Sequence, residues 1–247
     1  MSNRISSFIK KKILGKNNNL ISLDDAYETM VRLLKNREIT AVLDVGASDG
    51  HISKRLLRKF PDADVYAFEP NPLYSEKLLR YANDEPRFHP FFCALSDAEG
   101  TADLYMTQSP GNVSLLAPAK RLGEINPGGA SVKNLTKVDI VTIDQWAKRN
   151  GNIPVQLIKL DIQAAELKAL QGAVAVLRSS VLLVYTEIWF NPAYQGGAPY
   201  NQLDPFLRQN GFELYDIFKP GYDSGGRIIW ANAIYNHSKR LSLELNA

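Results

Sequence analysis

The sequence predicts an α/β fold, a mostly parallel sheet with helices on both faces. Three observations predict it. Short apolar runs rich in β-branched residues recur between stretches whose apolar residues fall at helical spacing. That alternation builds right-handed strand–helix–strand units and a sheet covered on both sides. The first run, Ala41 to Val45, contains Asp44 and passes into Gly46, Ala47, Ser48, Asp49 and Gly50, and a helical pattern starts at once. A strand, a glycine turn and a helix in that order form a ligand site, because glycine lets backbone approach a ligand without a Cβ in the way. Third, the runs end in polar residues: Glu69, the pair Ser96 and Asp97, Asp161 and Glu187. Ligands of open α/β sheets bind beyond the carboxyl ends of the strands, so these residues share one crevice.

The elements follow in order. Residues 1 to 20 are a basic lead-in with Arg4, Lys10, Lys11, Lys12 and Lys16, and Ile5, Phe8, Ile9 and Ile13 recur at helical spacing. Two readings stand: a helix that touches a membrane surface or a partner, or a helix packed on the core or frayed. Ser22 to Asp25 reads as a helix cap, followed by a stripe of Ala26, Met30, Leu33 and Leu34 running to about Asn36. Strand one is Ala41–Val45, then a helix with Ile52, Leu56, Leu57 and Phe60, stopped by Pro61. Strand two is Val65 to Glu69, then a helix with Leu73, Leu78, Leu79 and Tyr81. Strand three lies around Phe88 to Leu95. Thr101–Met106 and Lys137–Ile143 alternate like strands, and between them Gln108 to Asn134 is a long loop rich in Gly, Pro, Ser and Asn. A loop of that length inside a compact domain is usually functional or disordered, and it is expected at the ligand cleft as a lid or substrate grip. Strand four is Val155 to Asp161, followed by a helix with Leu167, Leu170, Val174 and Leu177. Strand five is Val181 to Glu187, whose apolar start suits a central position. A helix with Leu203, Phe206 and Leu207 closes at Asn210 and Gly211, and Phe212–Phe218 and Arg227–Tyr235 read as the last two strands. The division expected is a lead-in and helix over 1–38 and one α/β domain over 39–247.

Composition narrows the partners. The chain has 247 residues with 45% apolar content, enough for one sizeable α/β domain. Net charge is +3 from 29 basic and 26 acidic residues, so charge gives no nucleic-acid footprint. The single cysteine, Cys93, excludes an intrachain disulfide and a cysteine metal cluster and suits a reducing, cytoplasmic compartment. No apolar run approaches the ~18 residues of a membrane span. The lysines at 10 to 12 are not followed by the apolar stretch of a secretory signal.

The turn itself discriminates among ligands. Asp44 and Asp49 would repel phosphate, which argues against a pyrophosphate and for a ligand with ammonium or hydroxyl groups. The pattern Asp44-x-Gly46-x-x-x-Gly50 places Ser48 where a dinucleotide site has its second glycine. Glu69 lies 19 positions beyond Gly50, where an acidic residue accepts both hydrogen bonds of a ribose diol. Together these fit a phosphate-free adenosine ligand that carries a methionyl zwitterion.

Leu43 to Gly50, Phe68 to Pro72, Ala94 to Asp97, Thr142 to Asp144 and Ile158 to Glu166 resemble the successive motifs of FkbM-type methyltransferases. The resemblance runs from about Val42 to about Asn236. It implies a Rossmann-like class I methyltransferase fold: a seven-stranded, mostly parallel sheet with helices on both faces and the last strand antiparallel. It implies S-adenosyl-L-methionine as cofactor and O-methylation of a hydroxyl on a sugar, polysaccharide or natural product. By motif position, Asp44, Gly46, Ala47, Asp49 and Gly50 would surround the methionine part of the cofactor. Glu69 and Pro70 would lie at the ribose, Asn71 beside the adenine, and Ser96 and Asp97 at the adenine end. Asp161 would face the sulfonium and the incoming acceptor, and Asn112 to Leu115 would form part of the cleft wall. The family often shows Glu-Gly-Ala-Glu after the strand-four aspartate; here the residues are Gln163, Ala164, Ala165 and Glu166. Gln163 removes a carboxylate that could assist a metal, so no metal is expected.

An unactivated hydroxyl needs a base as the C–O bond forms. Asp161 and Glu187 are the first candidates and His51 the reserve. Bland readings stand beside these: Asp44 as a turn residue, Asp161 as a helix cap, His51 on the surface, and Glu166 as an exposed or salt-bridged helix residue. Glu187 ends a buried strand, so its charge must face the cleft or a partner. His89 and Cys93 read as structural. Trp189, Phe190, Tyr194 and Tyr200 read as an aromatic platform for the acceptor or as packing. The rival functions are an NAD-dependent oxidoreductase on a similar fold and a non-catalytic methyltransferase-like binding module. Nucleic-acid methylation is disfavoured: the Asn/Asp-Pro-Pro-aromatic motif of amino-group methylators is absent, and no basic stripe with interleaved aromatics lies outside the N-terminus. A small-molecule or saccharide acceptor is therefore the expected partner, with weak membrane-surface contact through residues 1–20 as a further expectation and no oligomeric state implied.

Overall fold

The computed structural model describes residues 25–241. The expectations for residues 1 to 20 therefore lie outside the described residues. A seven-stranded sheet forms the centre, in the order β3–β2–β1–β7–β8–β10–β9. Its strands are β1 (Ala41–Val45), β2 (Asp64–Phe68), β3 (Phe88–Phe91), β7 (Leu157–Leu160), β8 (Leu183–Trp189), β9 (Phe212–Tyr222) and β10 (Ile228–His237). The first five pair in parallel. The chain's last strand, β10, runs antiparallel to both neighbours. The strand order reverses between β1 and β7, which opens the crevice where such sheets take ligands.

The helices are α1 (Ala26–Leu34), α2 (His51–Lys59), α3 (Ser75–Asp84), α4 (Lys120–Ile125), α5 (Ile143–Arg149), α6 (Glu166–Gln171), α7 (Val174–Ser179) and α8 (Tyr200–Gln209). Alternating strand residues feed two cores. Val42, Val65, Leu157 and Leu183 pack under α1, α2 and α3, while their neighbours Leu43, Ile158 and Val184 pack under α5 to α8. Burial of every residue of β1, β7 and β8 explains why these strands read as continuous apolar runs. Helix α1 begins where the cap was expected: the Asp25 carboxylate accepts from Tyr27 N–H at 2.9 Å. It belongs to the part set apart as a lead-in, yet Met30 and Leu34 are buried against the sheet.

Three features depart from the sequence reading. The expected third strand is split: β3 stays in the main sheet, and Ala94–Leu95 (β4) joins a second, three-stranded sheet in the order β4–β6–β5. Its other strands are β5 (Gly100–Thr107) and β6 (Val132–Val141), paired antiparallel with each other. The β6 strand thus begins inside the stretch read as loop, and α4 and a 3₁₀ turn (Pro110–Asn112) order much of the remainder. Last, β9 continues to Tyr222, with irregular pairing against β10, so the final connection is shorter than expected. Among the described residues no helix is long and apolar enough to cross a membrane.

Candidate active site

The carboxyl ends of β1, β2 and β7 converge on a cavity of about 250 Å³. The glycine turn shapes its floor. Gly46 has φ +79°, and a Cβ there would lie 2.0 Å from the Asp161 carbonyl oxygen, so β1 and β7 come this close only with glycine at 46. Gly46 and Ala47 N–H both donate to the Phe68 carbonyl, which draws the turn across the end of β2. Gly50, also left-handed at φ +80°, starts α2.

Glu69 is the pivot of the β2 end. One carboxylate oxygen accepts from Ser48 N–H at 2.6 Å, the other from Asn71 N–H at 2.8 Å. Burial pushes its carboxyl above the usual range, against these two N–H groups, which favour the charged form. Asn71 caps the 3₁₀ turn Pro72–Tyr74 with its Oδ1, while its Nδ2 is buried without a protein partner in the cavity wall. Ser48, where a dinucleotide site carries glycine, adopts φ +50°.

Beneath the turn lies a buried ion pair. The Lys159 ammonium sits 2.9 Å from Asp44 Oδ1 and donates to the Gly46 carbonyl at 3.0 Å. Ser53 Oγ donates to the second Asp44 oxygen at 2.6 Å. Burial disfavours the Lys159 charge, but the Asp44 and Asp161 carboxylates outweigh it and hold the lysine pKa above its usual value. The pair is set by register, because Asp44 and Lys159 are direct neighbours on β1 and β7.

On the far side the chain after β7 turns through Asp161, Ile162 and Gln163, all lining the cavity. Gln163 and Ala164 are both left-handed, at φ +58° and +71°. Glu166 Oε1 accepts from Ile162 N–H at 2.9 Å, and Ser114 Oγ donates to the Gln163 carbonyl at 2.8 Å. Ser114 belongs to the segment after the 3₁₀ turn Pro110–Asn112, so this part of the long loop stands at the cavity, with Pro110 and Leu115 also in its wall.

Of the residues expected at the site, Gly46, Ala47, His51, Glu69, Pro70, Asn71 and Asp161 line the cavity. Asp44 lies under the floor, fully buried against Lys159. Asp49 and Gly50 lie at the start of α2, outside the lining. Asp49 is bound to Lys77 and His51, which hold its carboxyl well below the usual carboxylate range. Ser96 and Asp97 also lie outside the lining, although Ala94 and Leu95 of β4 just before them are part of it. Ser96 is buried under Gly172, and its hydroxyl donates to Asp97. Glu187 is buried behind the wall rather than in it. Its Oε2 accepts from Trp189 Nε1 at 2.9 Å, and burial with the nearby Asp161 and Glu166 charges raises its carboxyl well above the ordinary value.

The His51 side chain is 71% exposed at the rim, its Nδ1 2.8 Å from Asp49. Glu166, read as exposed or salt-bridged, is buried, and burial pushes it up to about 7. Tyr194 and Trp189 are packed edge to face in a buried cluster, and neither they nor Tyr200 reach the cavity. His89 stacks on Tyr66, and Cys93 lines the cavity with its thiol raised by burial to about 11. Val113, Ser114 and Leu115, from the stretch expected in the cleft wall, line the cavity, and Lys159 is a wall residue whose role went unread. For Lys159 the signal was present: a lysine inside the apolar run of a doubly covered strand needs a buried counter-charge. Among the described residues no group of His, Cys, Asp or Glu is arranged to hold a metal ion.

A seven-stranded sheet of this order, with a cavity at the β1/β7 switch, defines a class I, Rossmann-like methyltransferase fold. The solved FkbM methyltransferase of Methylobacillus flagellatus superposes with a TM-score of 0.50 at 16% identity, over 81% of this chain and 44% of that one. The present chain therefore spans less than half of that protein's length. Residues 44–214 match the methyltransferase FkbM domain model, and the chain belongs to that family. Among curated relatives, the 2-O-methyltransferase NoeI of Sinorhizobium fredii is 26% identical over 204 residues, covering 80% of this chain and 82% of NoeI. The methyltransferase sdnD of Sordaria araneosa is 29% identical over 195 residues, covering 70% and 73%.

Proposed function

We propose that this chain is an S-adenosyl-L-methionine-dependent O-methyltransferase acting on a hydroxyl of a sugar, polysaccharide or natural product. One observation carries the cofactor reading: in the cavity wall the buried Glu69 carboxylate and the unpartnered Asn71 Nδ2 stand side by side. Each Glu69 oxygen accepts one backbone N–H and keeps a lone pair for a diol hydroxyl, and Asn71 Nδ2 offers a donor to a ring nitrogen. The glycine floor supplies room where a side chain would intrude. The likeness to NoeI supports a hydroxyl as acceptor.

S-adenosylmethionine brings a methyl already activated on a sulfonium. The protein's share is to orient the acceptor, exclude water and take a proton. Asp161 is the base in this reading: it lines the cavity, whereas Glu187 is buried behind the wall, where burial raises its carboxyl well above the ordinary value, and His51 stands at the rim. Calorimetry tests the proposal directly. S-adenosylmethionine should bind the wild-type chain, and Glu69→Ala should weaken it by roughly tenfold or more, the worth of about 1.4 kcal/mol. Unchanged affinity in that variant, or stabilisation by NAD in place of S-adenosylmethionine, would refute it. Transfer of radiolabelled methyl to a panel of hydroxylated saccharides then tests the acceptor class.

A further inference from the structure

The turn that follows β7 is held in a conformation that side chains resist. Two consecutive residues with a Cβ, Gln163 and Ala164, are left-handed, at a cost of roughly 1–2 kcal/mol each. Glu166 and Ser114 brace the backbone of this turn from two directions. The effect is to aim one side chain. Gln163 Nε2 donates to Asp161 Oδ1 at 3.0 Å and faces Glu187 Oε2 at 3.4 Å, while Tyr194 Oη donates to Gln163 Oε1 at 2.9 Å. The carboxyl groups fix which end of the amide faces them, because the reverse orientation would set oxygen against oxygen on that side; the phenol, which also lies 3.2 Å from the Asn112 carbonyl, can meet either end. The two amide hydrogens thus serve two acidic side chains, one in the cavity wall and one behind it. Glu187 is also tied to Trp189, so the bridge anchors Asp161 to a buried, rigid cluster.

We propose that Gln163 is a positioning residue: its amide holds the Asp161 carboxylate at the cavity and so sets how strongly the site prefers a cationic sulfonium ligand over its neutral thioether. This rests on the cofactor reading above. Asp161 is otherwise free to turn toward solvent, since its side chain makes no other hydrogen bond among the described residues. A carboxylate held in place interacts with a cation more strongly than one averaged over rotamers.

The test is the ratio of affinities for S-adenosylmethionine and S-adenosylhomocysteine, measured by calorimetry on the full chain. Asp161→Asn should lower the ratio about tenfold, and Gln163→Ala about threefold. The double variant should fall no lower than Asp161→Asn alone, because both act through one carboxylate. Gln163→Met keeps the side-chain length without the donors and should match Gln163→Ala; melting curves confirm that both fold. A merely structural role for Gln163 would weaken both ligands equally and leave the ratio unchanged, which overturns the bridge. Effects that multiply in the double variant overturn it too, as does an unchanged ratio in Asp161→Asn. In each of these cases the cofactor reading stands. A wild-type chain that binds neither ligand overturns both.

Discussion

Asp44 and Lys159 show how a single register choice organises the site. Each would be costly alone in the sheet centre, and together they lock the turn, because Lys159 also holds the Gly46 carbonyl. Removing one partner leaves the other charge buried and uncompensated. Lys159→Met should cost about 3–5 kcal/mol in urea unfolding, and Asp44→Asn added to it should recover part of that loss. Gly46→Ala should be at least as damaging, since its Cβ would collide with the Asp161 carbonyl in a left-handed backbone. The same arrangement corrects the expectation for Asp44: with both oxygens occupied by Lys159 and Ser53, it shapes the floor from below.

At the scale of elements, a short helix can depend on a cap supplied by another element. Helix α7 has six residues and opens after α6 without a side-chain cap of its own. Asp144, from α5, supplies one from a distance: its two oxygens accept Ala175 and Val176 N–H at 2.9 Å each. Asp144→Ala should cost about 1–2 kcal/mol, read as a fall in melting temperature of several degrees. The sequence marked Thr142 to Asp144 as a motif but gave no sign of this cap, because donor and acceptor lie 31 and 32 positions apart. The second sheet was only half legible for the same reason. Alternation in Thr101–Met106 was plain, but β6 starts among exposed residues with no apolar pattern, and only pairing with β5 makes it a strand.

Across the molecule, buried carboxyl groups tilt stability toward mild acid. Glu166, raised from 4.5 to about 7, and Glu187, also raised well above 4.5 by burial, bind protons in the folded state that the unfolded chain has released. Their stabilising contribution is complete below the unfolded value near 4.5 and is lost as pH rises through the folded values. Asp49, held low by Lys77, acts in the opposite sense: its contribution is present above 3.8 and is lost as pH falls. Stability should therefore fall between about pH 5 and pH 7. Glu166→Gln, which keeps an acceptor for Ile162 N–H, should flatten that fall by up to about 1.4 kcal/mol per pH unit in urea unfolding at a series of pH values. An unchanged slope would count against a protonated Glu166.

The sequence by itself determined the parallel core, the glycine turn, Glu69 at the end of β2, Asp161 at the end of β7 and the family. These are local: apolar period, turn chemistry and strand-end polarity are written within a few adjacent residues. Tertiary structure decided which of the polar residues at the strand ends reach the cavity. Ser96 and Asp97 were left outside the lining, with Ser96 packed against Gly172, Glu187 was sealed behind Gln163 and Trp189, and Lys159 was drawn beneath the floor by its register with Asp44. The physical reason is that a side chain's exposure and charge depend on what packs over it, and such partners can be distant in sequence: Gln163 meets Glu187 across 24 positions, and Lys159 meets Asp44 from another strand.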